Sequence, residues 1–157
     1  MYRIGIIGTE NSHAMSFAKQ INLDKLPSGE RKYPDMQVVG VYGADKSTAQ
    51  EVAEKAEVDF IPEKPEELLD RVDAVMVTAR KGSEHLGYAL PFIEKGMPVF
   101  VDKPVASNPQ EALEIFRAAK KSGSPITGGS GCKLAYDIIM IKSVVDRMKS
   151  KGKMITA

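Results

Sequence analysis

The chain has 157 residues, enough for one domain with a real core and short for two. Its 43% hydrophobic and 27% charged residues are those of an ordinary globular protein. A net charge of +1, from 22 basic and 21 acidic residues, argues against nucleic acid or an anionic membrane as a partner.

The opening "MYRIGIIG" lacks the basic region, apolar stretch and cleavage site of a secretory signal. No apolar run approaches the ~18 residues of a membrane span, so a cytoplasmic location is expected. The single cysteine, Cys132, excludes an intrachain disulfide and any cluster held by several thiolates.

Short β-branched runs at 3–8, 37–42, 74–78, 98–102 and 125–127 read as strands buried on both faces of a parallel sheet. Helical patterns lie between them. Ala14, Phe17, Ala18 and Ile21 share one helix face. The segment 23–36 is rich in charges and turn formers and predicts a long, mobile loop in the first crossover. Ser47 and Gln50 suggest a capping box ahead of Val52, Ala53 and Ala56. Pro65 suits the first turn of a short helix carrying Leu68 and Leu69.

Leu86, Ala89, Leu90 and Ile93 form the next stripe, ended by Gly96, with Pro91 predicting a late start or a kink. Asn108, Pro109 and Glu111 open a further helix whose buried face is predicted as Ala112, Ile115, Phe116 and Ala119, with Gly123 as its stop. Strand and helix alternate to about residue 127. The order predicts an α/β fold with a Rossmann-like, doubly wound parallel sheet. Beyond it, Leu134, Ile138, Ile141, Val145 and Met148 make an amphipathic stripe that runs through "KGK" into "MITA".

The first strand leads into "GTENSHA", where a dinucleotide-binding loop would continue G-x-G-x-x-G. Gly8 supplies the first glycine, while Glu10 and His13 stand at the other two. The helix N-terminus favours an anion there, yet a carboxylate and a phosphate about 4 Å apart repel by roughly 4 kcal/mol at an effective dielectric near 20. The loop therefore requires that Glu10 swing aside, or that Asn11, Ser12 and His13 offset it by donating hydrogen bonds. Alternatively, Asn11 or Ser12 caps the helix and His13 packs beside it.

At the second strand end, where an acid grips the ribose of NAD, the sequence has Gly43, Ala44, Asp45 and Lys46. Asp45 stands late for that role, and Lys46 is placed to meet the 2′-phosphate of NADP. A polar turn entering the next helix is the other reading, and NAD and NADP are not separated here. "VFVDKP" ends a strand in Asp102-Lys103-Pro104, and open α/β sheets bind ligands at strand carboxyl ends. Lys103 is placed to bond a ribose or substrate oxygen or to move a proton; by residue type alone, Asp-Lys-Pro reads as an ordinary surface turn.

Taken together, "RIGIIG…SHA", "VDAVMVTARKGSEHLGYALPFIEKGMPVFVDKPVASNPQEA" and "ITGGSG" resemble the nucleotide-binding domain of the Gfo/Idh/MocA oxidoreductases, over nearly the whole chain. The resemblance implies an NAD or NADP cofactor and hydride transfer to or from a sugar- or polyol-like hydroxyl or carbonyl. It maps the family's Glu-Lys-Pro onto Asp102-Lys103-Pro104, with Lys103 as catalytic residue near the reacting centre. It further implies that Thr78, Ala79 and Arg80 line the cofactor loop and that His85 takes the place of the family's histidine; a surface histidine at a helix end is the alternative for His85.

The departures at Glu10, His13 and Gly43 predict weak or absent cofactor binding. Family members are about twice this length, so the resemblance divides the chain into a dinucleotide-binding domain, 1–130, and a linker helix with the first strand of a cut second domain, 131–157. In that reading the chain alone turns over little, and a small-molecule substrate binds only when the second domain is present. A competing expectation is a non-catalytic module that has lost the cofactor and forms a homo-oligomer through residues 134–157.

Overall fold

The computed structural model describes residues 1–130, 135–149 and 152. Five strands, β1 (Tyr2–Ile7), β2 (Met36–Tyr42), β3 (Ala74–Val77), β4 (Val99–Val101) and β5 (Ile126–Gly128), form one sheet in the order β2-β1-β3-β4-β5. Every neighbouring pair is parallel. A single parallel bridge from Phe60 to Gly40 extends the sheet beyond β2. The chain crosses from β1 outward to β2 and then returns to β3 on the other side of β1. The carboxyl ends of β1 and β3 therefore flank the crevice where such sheets take ligands.

Helices α1 (Ser12–Asn22) and α2 (Lys46–Ala56) pack on one face; α3 (Gly82–Glu94) and α4 (Pro109–Ser122) pack on the other. The first core joins Ile4, Ile6, Val38 and Val41 to Ala14, Ala18 and Val52. The second joins Val75, Val77, Val99 and Val101 to Ala89, Phe92, Ile93 and Ile115. Burial of β1 to β4 is why those segments read as apolar runs; the edge strand β5 departs from that expectation, with Ile126 half-buried and Thr127 and Gly128 exposed.

Several local expectations need correction. The N-cap of α2 is Asp45, whose side chain accepts from Ser47 N, in place of a Ser47–Gln50 box. An acid two residues earlier reaches the orphan donors first. Helix α3 runs through Pro91 without a late start, and its buried stripe is His85, Ala89, Phe92 and Ile93, with Leu86 and Leu90 only half-buried. On α4, Ile115 and Ala119 are buried, whereas Phe116 is 52% exposed beside an exposed Leu113.

The 23–36 crossover is tied down: Lys25 and Arg31 bridge antiparallel, and the Arg31 guanidinium donates to the Ile21 and Met36 carbonyls at 3.2 and 2.7 Å. Helix α5 spans Tyr136–Lys149, and of residues 135–148 all but Val145 are exposed. Leu134, Cys132 and the strand expected at "MITA" lie outside the described residues. No helix among the described residues is long and apolar enough to cross a membrane.

Candidate functional site

The turn from β1 into α1 is held shut against β3. Gly8 has φ of 98°, and a Cβ there would fall on the Ala79 backbone, so the position demands glycine on both counts. Buried Thr78 closes the seam, its hydroxyl donating to the Gly8 carbonyl at 2.8 Å and its N–H to Ile7 O at 2.8 Å. Asn11 caps α1 by accepting from His13 N at 2.7 Å, and its amide nitrogen donates to the Thr78 carbonyl. Both ends of that side chain are engaged, so Asn11 acts as a staple between α1 and β3.

Glu10 swings away from the helix. Its carboxylate accepts from Ala44 N at 2.7 Å, just past the end of β2, and the first turn of α1 holds no acid. The helix N-terminus, with exposed Ser12, is left to an anion. A cavity of about 470 Å³ lies there, lined by Thr9 to Ser12, Thr48, Glu51 and exposed Arg80.

At the end of β2 the polar groups are occupied. Thr48 Oγ1 donates to the Asp45 carbonyl at 2.8 Å, leaving the buried Thr9 hydroxyl to donate to Thr48 across 2.6 Å. A side chain at Gly43 would collide with that threonine pair. The Asp45 carboxylate holds Ser47 Oγ at 2.6 Å and Ser47 N at 2.9 Å; the hydroxyl bond, then the backbone bond, lower its pKa. Lys46 pairs with Glu63 at 2.5 Å. Nearby, Tyr88 meets Tyr42 edge-on at 5.9 Å. Burial first, then Tyr42, Glu84 and Glu10, push the Tyr88 hydroxyl up to about 12, which keeps it neutral.

The end of β4 is built from a long-range pair. Buried Asp102 lies 2.5 Å from His13 Nδ1, joining β4 to the first turn of α1. An ionised carboxylate only accepts, so Nδ1 carries the proton and Nε2 stays available to a ligand. His13 sits edge-on to Phe17 at 5.9 Å, and Phe17 edge-on to Phe100 at 5.7 Å. These groups line a cavity of about 300 Å³ together with Lys103 and Gly128. Lys103 is exposed, forms no ion pair among the described residues and precedes Pro104 through a cis peptide.

His85 corrects the surface-residue reading. It is fully buried, donates from Nε2 to the Ala79 carbonyl at 2.8 Å, and leaves Nδ1 without a partner. It thereby fixes the loop that Gly8 leans on.

The structure thus puts Glu10, Ser12 and Arg80 on one cavity and His13, Asp102 and Lys103 on a second, joined through the first turn of α1, with Gly8, Asn11, Thr78, Ala79 and His85 as support. Asp45 and Lys46 bond away from both. Thr9, Thr48, Phe17 and Phe100 were not foreseen. The strand-end Gly43 is the one sequence signal for the threonine seal, since only a glycine leaves room for it. No group of three or more His, Cys, Asp or Glu suited to a metal occurs among the described residues.

A model of GFO_IDH_MocA, an oxidoreductase family with the NAD-binding Rossmann fold, matches residues 2–129. The inositol 2-dehydrogenase/D-chiro-inositol 3-dehydrogenase of Halalkalibacterium halodurans is 29% identical over 149 residues, covering 92% of this chain and 40% of its own length. The inositol 2-dehydrogenase of Gluconacetobacter diazotrophicus is 31% identical over 148 residues, covering 91% and 41%. A probable dehydrogenase from Thermotoga maritima superimposes with a TM-score of 0.75 at 20% identity, over 92% of this chain and 41% of that one. The chain spans about two fifths of the length of these relatives.

Proposed function

Since the chain belongs to the GFO_IDH_MocA oxidoreductases, whose domain is an NAD-binding Rossmann fold, we propose that it holds a nicotinamide dinucleotide along the carboxyl edge of its sheet. The bound cofactor supplies hydride exchange with a substrate carbon. The residues present fit such a group. The first turn of α1 holds no acid and receives the pyrophosphate, with Ser12 and Arg80 at the rim of a cavity that Glu10 and Glu51 also line. Gly8 gives the close backbone approach that the pyrophosphate needs.

At the other end, Lys103 orients the reacting hydroxyl or carbonyl and exchanges its proton. The substrate class is a sugar- or polyol-like alcohol, in keeping with the inositol dehydrogenases that this chain resembles. In this reading residues 1–130 are the cofactor unit, and the rest of the substrate pocket comes from the additional length that the relatives possess. A single observation carries the proposal: Glu10, the residue that would repel a pyrophosphate, bonds instead to Ala44 N.

Calorimetric titration of the 157-residue chain with NADH and with NADPH at low salt tests it. Saturable binding of either is expected. No heat up to near-millimolar ligand would remove the cofactor reading for this chain.

A second reading, self-association through residues 134–157, is favoured by the exposed Ile138, Ile139, Ile141 and Val144 of α5. Light scattering tests it, and a monomer at high concentration would exclude it.

A further inference from the structure

We propose that Glu10 is the acid that grips the 2′-hydroxyl of the adenosine ribose, and that it sets a preference for the unphosphorylated dinucleotide. The inference rests on the cofactor reading above and names which residue selects between the two cofactors.

In doubly wound sheets the ribose is held by an acid at the end of the second strand. Here that strand cannot supply one. Its end is Gly43, where any side chain would strike the hydrogen-bonded Thr9–Thr48 pair. The next acid, Asp45, has its carboxylate on Ser47 N and Oγ as the cap of α2. Yet a carboxylate does stand at the strand end: that of Glu10, reaching across from the β1 turn to accept from Ala44 N at 2.7 Å. Acid and glycine have exchanged strands. The glycine has moved to the end of β2 and the acid to the β1 turn, and the carboxylate still lies between the two.

The pairing explains both departures in "GTENSHA" and "YGAD" at once. A carboxylate has about four acceptor positions. The Ala44 N–H fills one and fixes the rotamer, and the others are free for ribose hydroxyls. A 2′-phosphate would meet this carboxylate at close range, and Arg80, the cation lining the same cavity, serves the pyrophosphate in this reading. Lys46, the nearest candidate in sequence, is held by Glu63 at 2.5 Å. Like charges at that separation in a partly screened site disfavour binding by on the order of a hundredfold or more.

The test is titration of wild type, Glu10→Gln and Glu10→Gly with NADH and NADPH in parallel, with thermal melts confirming that each variant folds. Wild type is expected to favour NADH by at least about tenfold. Glu10→Gln should weaken NADH by roughly tenfold and bring the two affinities to within a few-fold, because hydrogen bonds to a charged group exceed neutral ones. Glu10→Gly should move the same way. An unchanged NADH:NADPH ratio, or an equal gain for both ligands, would overturn the inference. Binding by Glu10→Gly alone would also overturn it, marking Glu10 as a plug while leaving the family's cofactor site in place. Binding by none of the three proteins would remove the inference together with the cofactor reading.

Discussion

At the carboxyl end of β2 the polar side chains close on nearby backbone or on each other. Asp45 caps α2, Thr9 bonds Thr48, and Glu10 takes the Ala44 N–H. At the carboxyl end of β4 the arrangement depends on distance along the chain instead, because His13 and Asp102 are joined across 89 positions and face a cavity with Lys103. The first end is a shaped slot that needs only the neighbouring β1 and β2 turns to meet, across 34 and 39 positions. The second exists only when α1 and β4 have docked. In the proposed reading binding and chemistry fall to different ends of the sheet, and substitutions should separate them.

The largest effect is expected where the two ends meet. Gly8→Ala puts a Cβ into the Ala79 backbone at a φ of 98°. It should cost about 3 kcal/mol or more in urea unfolding and disturb both ends together. A wild-type stability would show that the β1–β3 seam does not govern either.

Asp102→Ala tests the β4 end alone. Removing a buried, charge-assisted partner of His13 should cost about 2 kcal/mol and shift the His13 ring resonances. The β2 end should be untouched, so the NADH:NADPH preference proposed for Glu10 is the control. Asn11→Ala should cost about 1–2 kcal/mol, since it removes both the α1 cap and the bond to the Thr78 carbonyl. Urea midpoints measure it, and a null result would mean that water replaces the staple.

Two smaller effects sharpen the contrast. Arg3 holds the Asp73 carboxyl down to about 2, through side-chain and backbone hydrogen bonds before charge, at the amino edge far from both ends. Because the folded pKa is depressed, that contribution is complete above the unfolded value near 3.8 and fades as pH falls through about 2. Asp73→Asn should flatten acid unfolding in that window only slightly, because the pair is largely exposed. Smallest of all, Asp45→Ala should lower the melting temperature a little and leave NADH affinity within about twofold, since its carboxylate serves α2. A larger fall in affinity would return the ribose to Asp45.

The sheet and its helices were legible because buried parallel strands and amphipathic helices carry their periods in the sequence, as at Ile4–Ile7 and Ala14–Ile21. What failed was orientation. Phe116 counts as apolar by residue type, yet its helix turns it outward beside Leu113. Within the site, Gly8 could be read from local spacing, whereas Asp102-Lys103-Pro104 stood out through its resemblance to the family's Glu-Lys-Pro. The His13–Asp102 pair could not, because nothing local links residues so far apart. The direction of Glu10 was equally hidden: a side chain with three rotatable bonds takes whichever partner the fold brings near, and here that partner is a backbone N–H on another strand.

The tethered crossover has a practical consequence. Arg31 pins its two stems to the Ile21 and Met36 carbonyls, while a Cβ added to Gly29 at the tip would meet nothing within 4 Å. It connects the end of α1 to the start of β2, and so lies at the amino edge, opposite the cleft. Chain inserted between Ser28 and Gly29 would leave fixed stems behind it. A fluorophore or affinity tag grafted there would report on the cleft from outside it, without a reporter group near the ligand.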